Sequence, residues 1–182
     1  MPLPLLTAPS TVLRSPEESD LGLLYALRNN IQIQMLVLTQ PRANSLARVK
    51  EWLAKSANDP QSVFFVIGSL KDALAPVGYV QLTNMDFVHG TAELGICLDE
   101  AARGQGHALE ALRLLEQYGH DVFNIRKIIL RVMASNERAI ALYTKACFRK
   151  VGLLQQHFYQ RGTFHDVLIM EKIFAQKGCG LP

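Results

Sequence analysis

The chain has 182 residues, 49% of them hydrophobic and 19% charged, with 19 Lys and Arg against 16 Asp and Glu for a formal net charge of +3. A sequence this apolar and this weakly charged is not a disordered one, and its length suits a single compact domain burying about 70% of its unfolded surface. The charge is uneven, with 7 basic and 10 acidic side chains in residues 1–100 against 12 and 6 in residues 101–182, while a pI near 8.8 is too mild to indicate nucleic acid as a partner.

From the amino end, residues 1–10 are Pro-rich and read as a loose terminus, as do residues 175–182, which leaves 11–174 as the expected domain. The opening stretch has neither the basic start nor the long apolar run of a signal peptide, and no apolar run reaches the roughly 20 residues of a membrane span. A short strand is expected at Thr11 to Arg14. Ser15-Pro16-Glu17-Glu18 reads as an S-x-x-E capping box opening a helix to about Asn30, with Leu21, Leu24, Tyr25 and Arg28 at helical spacing. A second helix begins near Asn44 or Ser45, places Leu46, Val49, Trp52 and Leu53 on one face, and ends before Asp59-Pro60.

The period then changes. Residues 62–67 and 77–82 are β-rich and separated by turn-forming residues 69–76, and residues 91–98 complete a three-stranded meander. Helix and strand alternate after that, with an amphipathic helix from Gly106 to about Phe123, a buried strand at 127–133 and a helix from Asn136 to Ala146. Strands at about 151–160 and 164–174 follow, turning at Arg161-Gly162. A meander followed by alternation indicates an α+β fold with a mixed, mostly antiparallel sheet flanked by helices.

Arg103-Gly104-Gln105-Gly106-His107-Ala108 lies between a strand and a long helix. Two close glycines let several N–H groups point one way, and the helix start behind them carries partial positive charge. The segment is therefore either a phosphate cradle or an ordinary strand-to-helix turn. It is not a dinucleotide fingerprint, because three antiparallel-looking strands precede it and no acidic residue ends the next strand. No G-x-x-x-x-G-K-[ST] is present, so nucleotide triphosphate hydrolysis has no support. Cys97, Cys147 and Cys179 form no C-x-x-C pair and are odd in number, as expected of a reduced, cytoplasmic chain. His157, His165 and Asp166 are candidates for an acceptor pocket or plain surface residues, and no spacing indicates a metal.

Three segments carry a more specific pattern: Ala92-Glu93-Leu94-Gly95-Ile96, then 103–108, then Asn136-Glu137-Arg138-Ala139-Ile140-Ala141-Leu142-Tyr143-Thr144-Lys145 before Cys147-Phe148. Together they resemble the GCN5-related N-acetyltransferase (GNAT) superfamily, in the branch holding spermidine, ribosomal-protein N-terminal and amino-sugar acetyltransferases. The R-x-x-G-x-[GA] loop corresponds to its acetyl-CoA pyrophosphate signature and N-x-x-A-x-x-L-Y-x-K-x-G-F to its second. One departure is Cys147 where the family usually has Gly.

The resemblance implies acetyl-CoA as co-substrate without a metal, bound by Ile96, Cys97, Leu98, Arg103, Gly104, Gln105, Gly106, His107, Ala108, Asn136, Ala139, Tyr143 and Lys145. Tyr143 is the implied general acid for the departing thiolate, or else a packed aromatic. Glu93 is the candidate base, or else a surface carboxylate or a partner of Arg131. At pH 7 a Lys-like amine of pKa about 10.4 needs about 4 to 5 kcal/mol to lose its proton, whereas one of pKa near 8 needs only about 1, so a base matters most for the former. The implied acceptor is a small amine, amino sugar, polyamine or protein N-terminus, but a polyamine site calls for carboxylates, and beyond Glu17, Glu18 and Asp20 no acidic cluster appears. Neither nucleic acid nor membrane is expected as a partner, and a homodimer is left open. A non-catalytic acyl-CoA-binding or regulatory module is the alternative.

Overall fold

A computed structural model describes residues 5–174. Its eight strands form one sheet in the order β1-β2-β3-β4-β5-β6-β8-β7. The strands are β1 (Leu6–Thr7), β2 (Thr11–Arg14), β3 (Val63–Ser69), β4 (Ala75–Asp86), β5 (Thr91–Leu98), β6 (Lys127–Met133), β7 (Arg149–Gln160) and β8 (Thr163–Ile173). The helices are α1 (Leu21–Asn29), α2 (Ile31–Leu36), α3 (Leu46–Asn58), α4 (His107–Phe123) and α5 (Glu137–Lys145). Every neighbouring pair of strands is antiparallel except β5 and β6, which run parallel. This is the expected α+β fold with a mixed sheet.

Strand alternation sorts the core onto two faces. On one, Val80, Leu82, Ala92, Ile128, Leu130 and Val132 meet Ala111, Leu112 and Leu115 of α4 and Tyr143 of α5. On the other, Phe64, Val66, Tyr79 and Cys97 meet Leu24, Leu27, Ile33 and Val49 from α1, α2 and α3. Trp52 of α3 packs edge-on against Phe64 and Tyr79 at 5.5 and 5.6 Å, and the Arg28 guanidinium lies 4.7 Å above the Trp52 ring, a cation–π contact.

Several boundaries differ from the sequence expectation. Ser15 does not cap the first helix. A 3₁₀ turn at Glu18–Asp20 intervenes, and the Asp20 carboxylate accepts from the Glu17 N–H at 2.7 Å and from both terminal nitrogens of Arg14 at 2.7 and 2.6 Å. That pair is buried, so the chain leaves β2 in a fixed direction and α1 begins at Leu21. Residues 5–10, expected to be loose, include β1, which pairs with β2 through Leu6↔Leu13 and Thr7↔Val12; residues 1–4 and 175–182, including Cys179, lie outside the described residues. Helix α2 was not expected; its first turn is closed by Asn30, whose Oδ1 accepts from the Ile33 N–H at 3.1 Å. Cys147 follows α5 with φ +68°, the left-handed geometry for which the family uses Gly. The turn is therefore kept, and Cys147 bears its strain.

Candidate active site

The site begins at a fork in the sheet. Strands β5 and β6 pair only over Thr91↔Lys127, Ala92↔Ile128 and Glu93↔Ile129. Beyond Glu93 and Ile129 no residue pair joins them, and a cleft of about 540 Å³ opens between Leu94, Gly95, Ile96, Cys97 and Leu98 on one side and Arg131 and Val132 on the other. Helix α2 contributes Ile33, Leu36 and Val37 to its wall. An unpaired strand edge of this kind accepts an extended ligand as if it were a further strand.

The turn before α4 forms one end of the cleft. Gly104 and Gly106 have φ of +80° and +92°, and a Cβ added at either would meet nothing within 4 Å. Conformation, not crowding, therefore demands glycine at both positions. The N–H groups of Gly104, Gln105, Gly106, His107 and Ala108 donate to no acceptor among the described residues; the first bonds of the helix run from Leu109 and Glu110 to the Gly106 carbonyl. A run of free amides at the positive end of a 17-residue helix has the donors and the field that suit a phosphate. The elements behind it hold it still, since the buried His107 ring meets the Thr11 hydroxyl at 2.9 Å through Nδ1, and Glu110 accepts from the Ser10 N–H and hydroxyl at 3.0 and 2.9 Å. The His107 side chain thus clasps β2 to α4 and gives a ligand only its amide and part of the wall. The Gln105 side chain is turned away, donating to the Ala101 carbonyl at 2.9 Å, so that Gln105 too offers the turn its backbone amide. Arg103 lines the cleft and meets Glu100 at 3.4 Å.

Helix α5 supplies the opposite wall. Asn136 caps it by accepting from the Ala139 N–H at 3.2 Å, and Asn136, Arg138, Ala139, Leu142, Tyr143 and Lys145 all face the cleft. Tyr143 is buried. Burial first, and the nearby Cys97 second, push its phenol up to about 12, so it holds its proton at neutral pH. Burial likewise pushes the Cys97 thiol up to about 12, against the lowering effect of a hydrogen bond with Tyr79. Cys97 is therefore a buried thiol and not a nucleophile. No Ser, Thr, Asp or Glu lines the cleft.

Glu93 is half-buried at the last paired position before the fork, outside the cleft wall itself. It forms no ion pair with Arg131, and no hydrogen bond of its carboxylate is found among the described residues. His157, His165 and Asp166 are not in the wall; Asp166 accepts from the Gln156 N–H at 2.8 Å, bracing β7. Sequence reasoning missed α2 and the cations Arg131 and Arg138 as wall residues. No local signal marks them, because the fork that gathers them joins segments far apart in the chain. Among the described residues no cluster of three or more His, Cys, Asp or Glu could hold a metal, and no helix is long and apolar enough to cross a membrane.

A family profile described as an acetyltransferase (GNAT) domain matches residues 11–149, the stretch that holds the fork, the amide turn and α5. The chain belongs to the GNAT acetyltransferase family. As a GNAT enzyme it is an acetyl-CoA-dependent N-acetyltransferase. It is 28% identical over 155 residues to spermidine N(1)-acetyltransferase of Vibrio cholerae, covering 85% of this chain and 88% of that one. With the Escherichia coli K12 enzyme of the same name it shares 29% identity over 164 residues, covering 90% and 86%. The crystal structure of the Vibrio cholerae spermidine N-acetyltransferase in complex with CoA and spermine superposes with a TM-score of 0.83 at 27% identity, covering 90% of this chain and 95% of that one.

Proposed function

We propose that this GNAT enzyme transfers the acetyl group directly, within one complex, from acetyl-CoA to a primary amine of a small molecule or a protein N-terminus. The observation that carries the reading is the run of unpaired amides from Gly104 to Ala108 at the head of α4, opening onto the forked strands. Those amides would hold the pyrophosphate, with Arg103, Arg138 and Lys145 adding positive charge, and the free edge of β5 would hold the extended arm. Ile96, Cys97 and Leu98 would place backbone N–H groups near the thioester carbonyl. The acetyl thioester supplies an activated acyl carbon.

An amine that has lost one proton forms the new C–N bond as the C–S bond breaks, the sulfur leaving with the electron pair. Glu93, at the fork and without a competing partner, would take the amine proton, directly or through water. Tyr143 would give its proton to the departing sulfur and regain one from the second proton that the acylated nitrogen sheds. Burial keeps the Tyr143 phenol protonated at neutral pH and so ready to donate. With Cys97 protonated and, among the described residues, no Ser or Thr in the wall, a covalent acetyl-enzyme has no evident carrier, which favours direct transfer.

The reading places the enzyme in the reducing cytoplasm, in keeping with the unpaired Cys97 and Cys147, and a homodimer is proposed on the strength of the outer strand β7, where Val151 and Leu153 are about half exposed. A thermal shift with saturating acetyl-CoA, followed by thiol release against a panel of amines, tests it. Stabilisation with amine-dependent release is expected. No stabilisation contradicts the binding reading, and stabilisation without release on any amine favours a non-catalytic acyl-CoA-binding module.

A further inference from the structure

We infer that the acceptor of this enzyme carries an anionic group, carboxylate or phosphate, beside its amine, and that Arg131 recognises it. The inference rests on the N-acetyltransfer reading above and narrows its acceptor. Among the described residues the cleft wall holds four cationic side chains, Arg103, Arg131, Arg138 and Lys145, and no carboxylate. Three of the four sit on the turn before α4 or on α5, both on the sheet face to which α4 packs, where the cofactor's phosphates belong.

Arg131 lies elsewhere. Alternation along β6 points Ile128, Leu130 and Val132 into the α4 core and so turns Ile129 and Arg131 to the opposite face. Ile129 is the partner of Glu93, and Arg131 is the next residue on that face beyond the fork. Its side chain is exposed and has no ion pair or hydrogen bond among the described residues. Glu93 is equally free on the same face. Between them on β5 stands Gly95, which has no side chain and over which the Gln81 side chain folds, its Nε2 lying 3.1 Å from where a Cβ would be. A carboxylate and a guanidinium thus flank the point where the strands part, in the arrangement that suits an amine next to an anion.

The α2 wall points the same way. Helix α2 presents Ile33, Leu36 and Val37 to the cleft and, among the described residues, no carboxylate. A polycation finds no anionic partner there, whereas an anionic amine with an apolar body meets an apolar surface beside the guanidinium.

The test is kcat/KM from thiol release with the full-length chain at saturating acetyl-CoA, comparing leucine with leucinamide, glucosamine 6-phosphate with glucosamine, and spermidine. The carboxylate and phosphate arms distinguish the two anion sources. At least one anionic member should exceed its neutral counterpart by about tenfold or more, even though leucinamide has the more readily deprotonated amine. Arg131→Gln should collapse that ratio through KM for the anionic amine rather than kcat, and R131E should shift preference toward spermidine. The exposed position of Arg131 makes both variants compatible with folding, and the wild-type comparison alone suffices should one fail. Neutral amines or spermidine used as well as or better than the anionic members, or a ratio that survives Arg131→Gln, would overturn the inference and leave N-acetyltransfer standing. Absence of thiol release with every member would overturn both.

Discussion

Tyr143 belongs at once to the core and to the wall of the cleft. Its ring meets Phe148 at 5.9 Å between centroids and packs in the core shared with α4, yet it also lines the cleft. Packing and chemistry are separable by Tyr143→Phe, which keeps the ring and removes the proton. The variant should lose about 10²- to 10⁴-fold in kcat, the range of general acid–base catalysis, with acetyl-CoA affinity nearly unchanged; an unchanged kcat would leave Tyr143 with packing alone. The pH profile carries a sign of its own. The acid must be protonated to act, and burial raises its pKa to about 12, so Tyr143 should not impose an alkaline fall in kcat below about pH 11. A fall with a midpoint near pH 10 in the wild type, absent from the Phe variant, would contradict that placement. The position of Tyr143 on α5, facing the cleft, was legible because its neighbours in sequence form a motif. Arg131 was not legible, since its meaning depends on a fork that no local pattern encodes.

At the scale of elements, legibility followed period and turn chemistry. Helix α4 was readable from the 3.6-residue spacing of Leu109, Leu112 and Leu115, and the turn before it from two glycines that both adopt positive φ. Helix α2 escaped because Ile31-Gln32-Ile33-Gln34 alternates with the period of a strand, and only the Asn30 cap betrays the helix. The first helix starts five residues after the expected Pro16 because Asp20 is held in a buried pair with Arg14 by contacts that sequence spacing alone does not show. The amide turn can be tested as an element through Gly106→Ala. Space is open there, so the substitution acts on backbone alone; a non-glycine residue at φ +92° is strained by about 1–2 kcal/mol, and relief of that strain re-aims the amides. The expected result is about a tenfold rise in KM for acetyl-CoA with a smaller change in kcat. An unchanged KM would mean that the free amides do not bind the cofactor.

For the whole molecule, the uneven charge along the sequence acquires a location. All four cations of the cleft wall come from residues 101–182, the half with the basic excess, so that half supplies the field that an anionic cofactor meets. The acidic excess of residues 1–100 does not line the cleft; it is spent on structural contacts such as Arg14–Asp20 and Lys50–Glu18 or left on the surface. The acidic excess thus forms no wall facing a cationic amine, and Glu93 stands beside the cleft at the fork. A field of this kind is screened by salt, with a Debye length of about 10 Å at 0.1 M. The KM for acetyl-CoA should rise several-fold between 0.05 and 0.5 M salt in steady-state assays, and a flat response would place the binding energy in the amides and apolar contacts alone.

Direct transfer is the central claim, in a cleft whose described wall holds no Ser or Thr and whose cysteine, Cys97, is kept protonated by burial. Initial velocities measured over a grid of acetyl-CoA and amine concentrations, with intact mass of the protein after incubation with acetyl-CoA alone, test this most directly. Intersecting double-reciprocal lines and an unmodified protein mass are predicted. Parallel lines, together with a protein heavier by one acetyl group that is lost when amine is added, would contradict it.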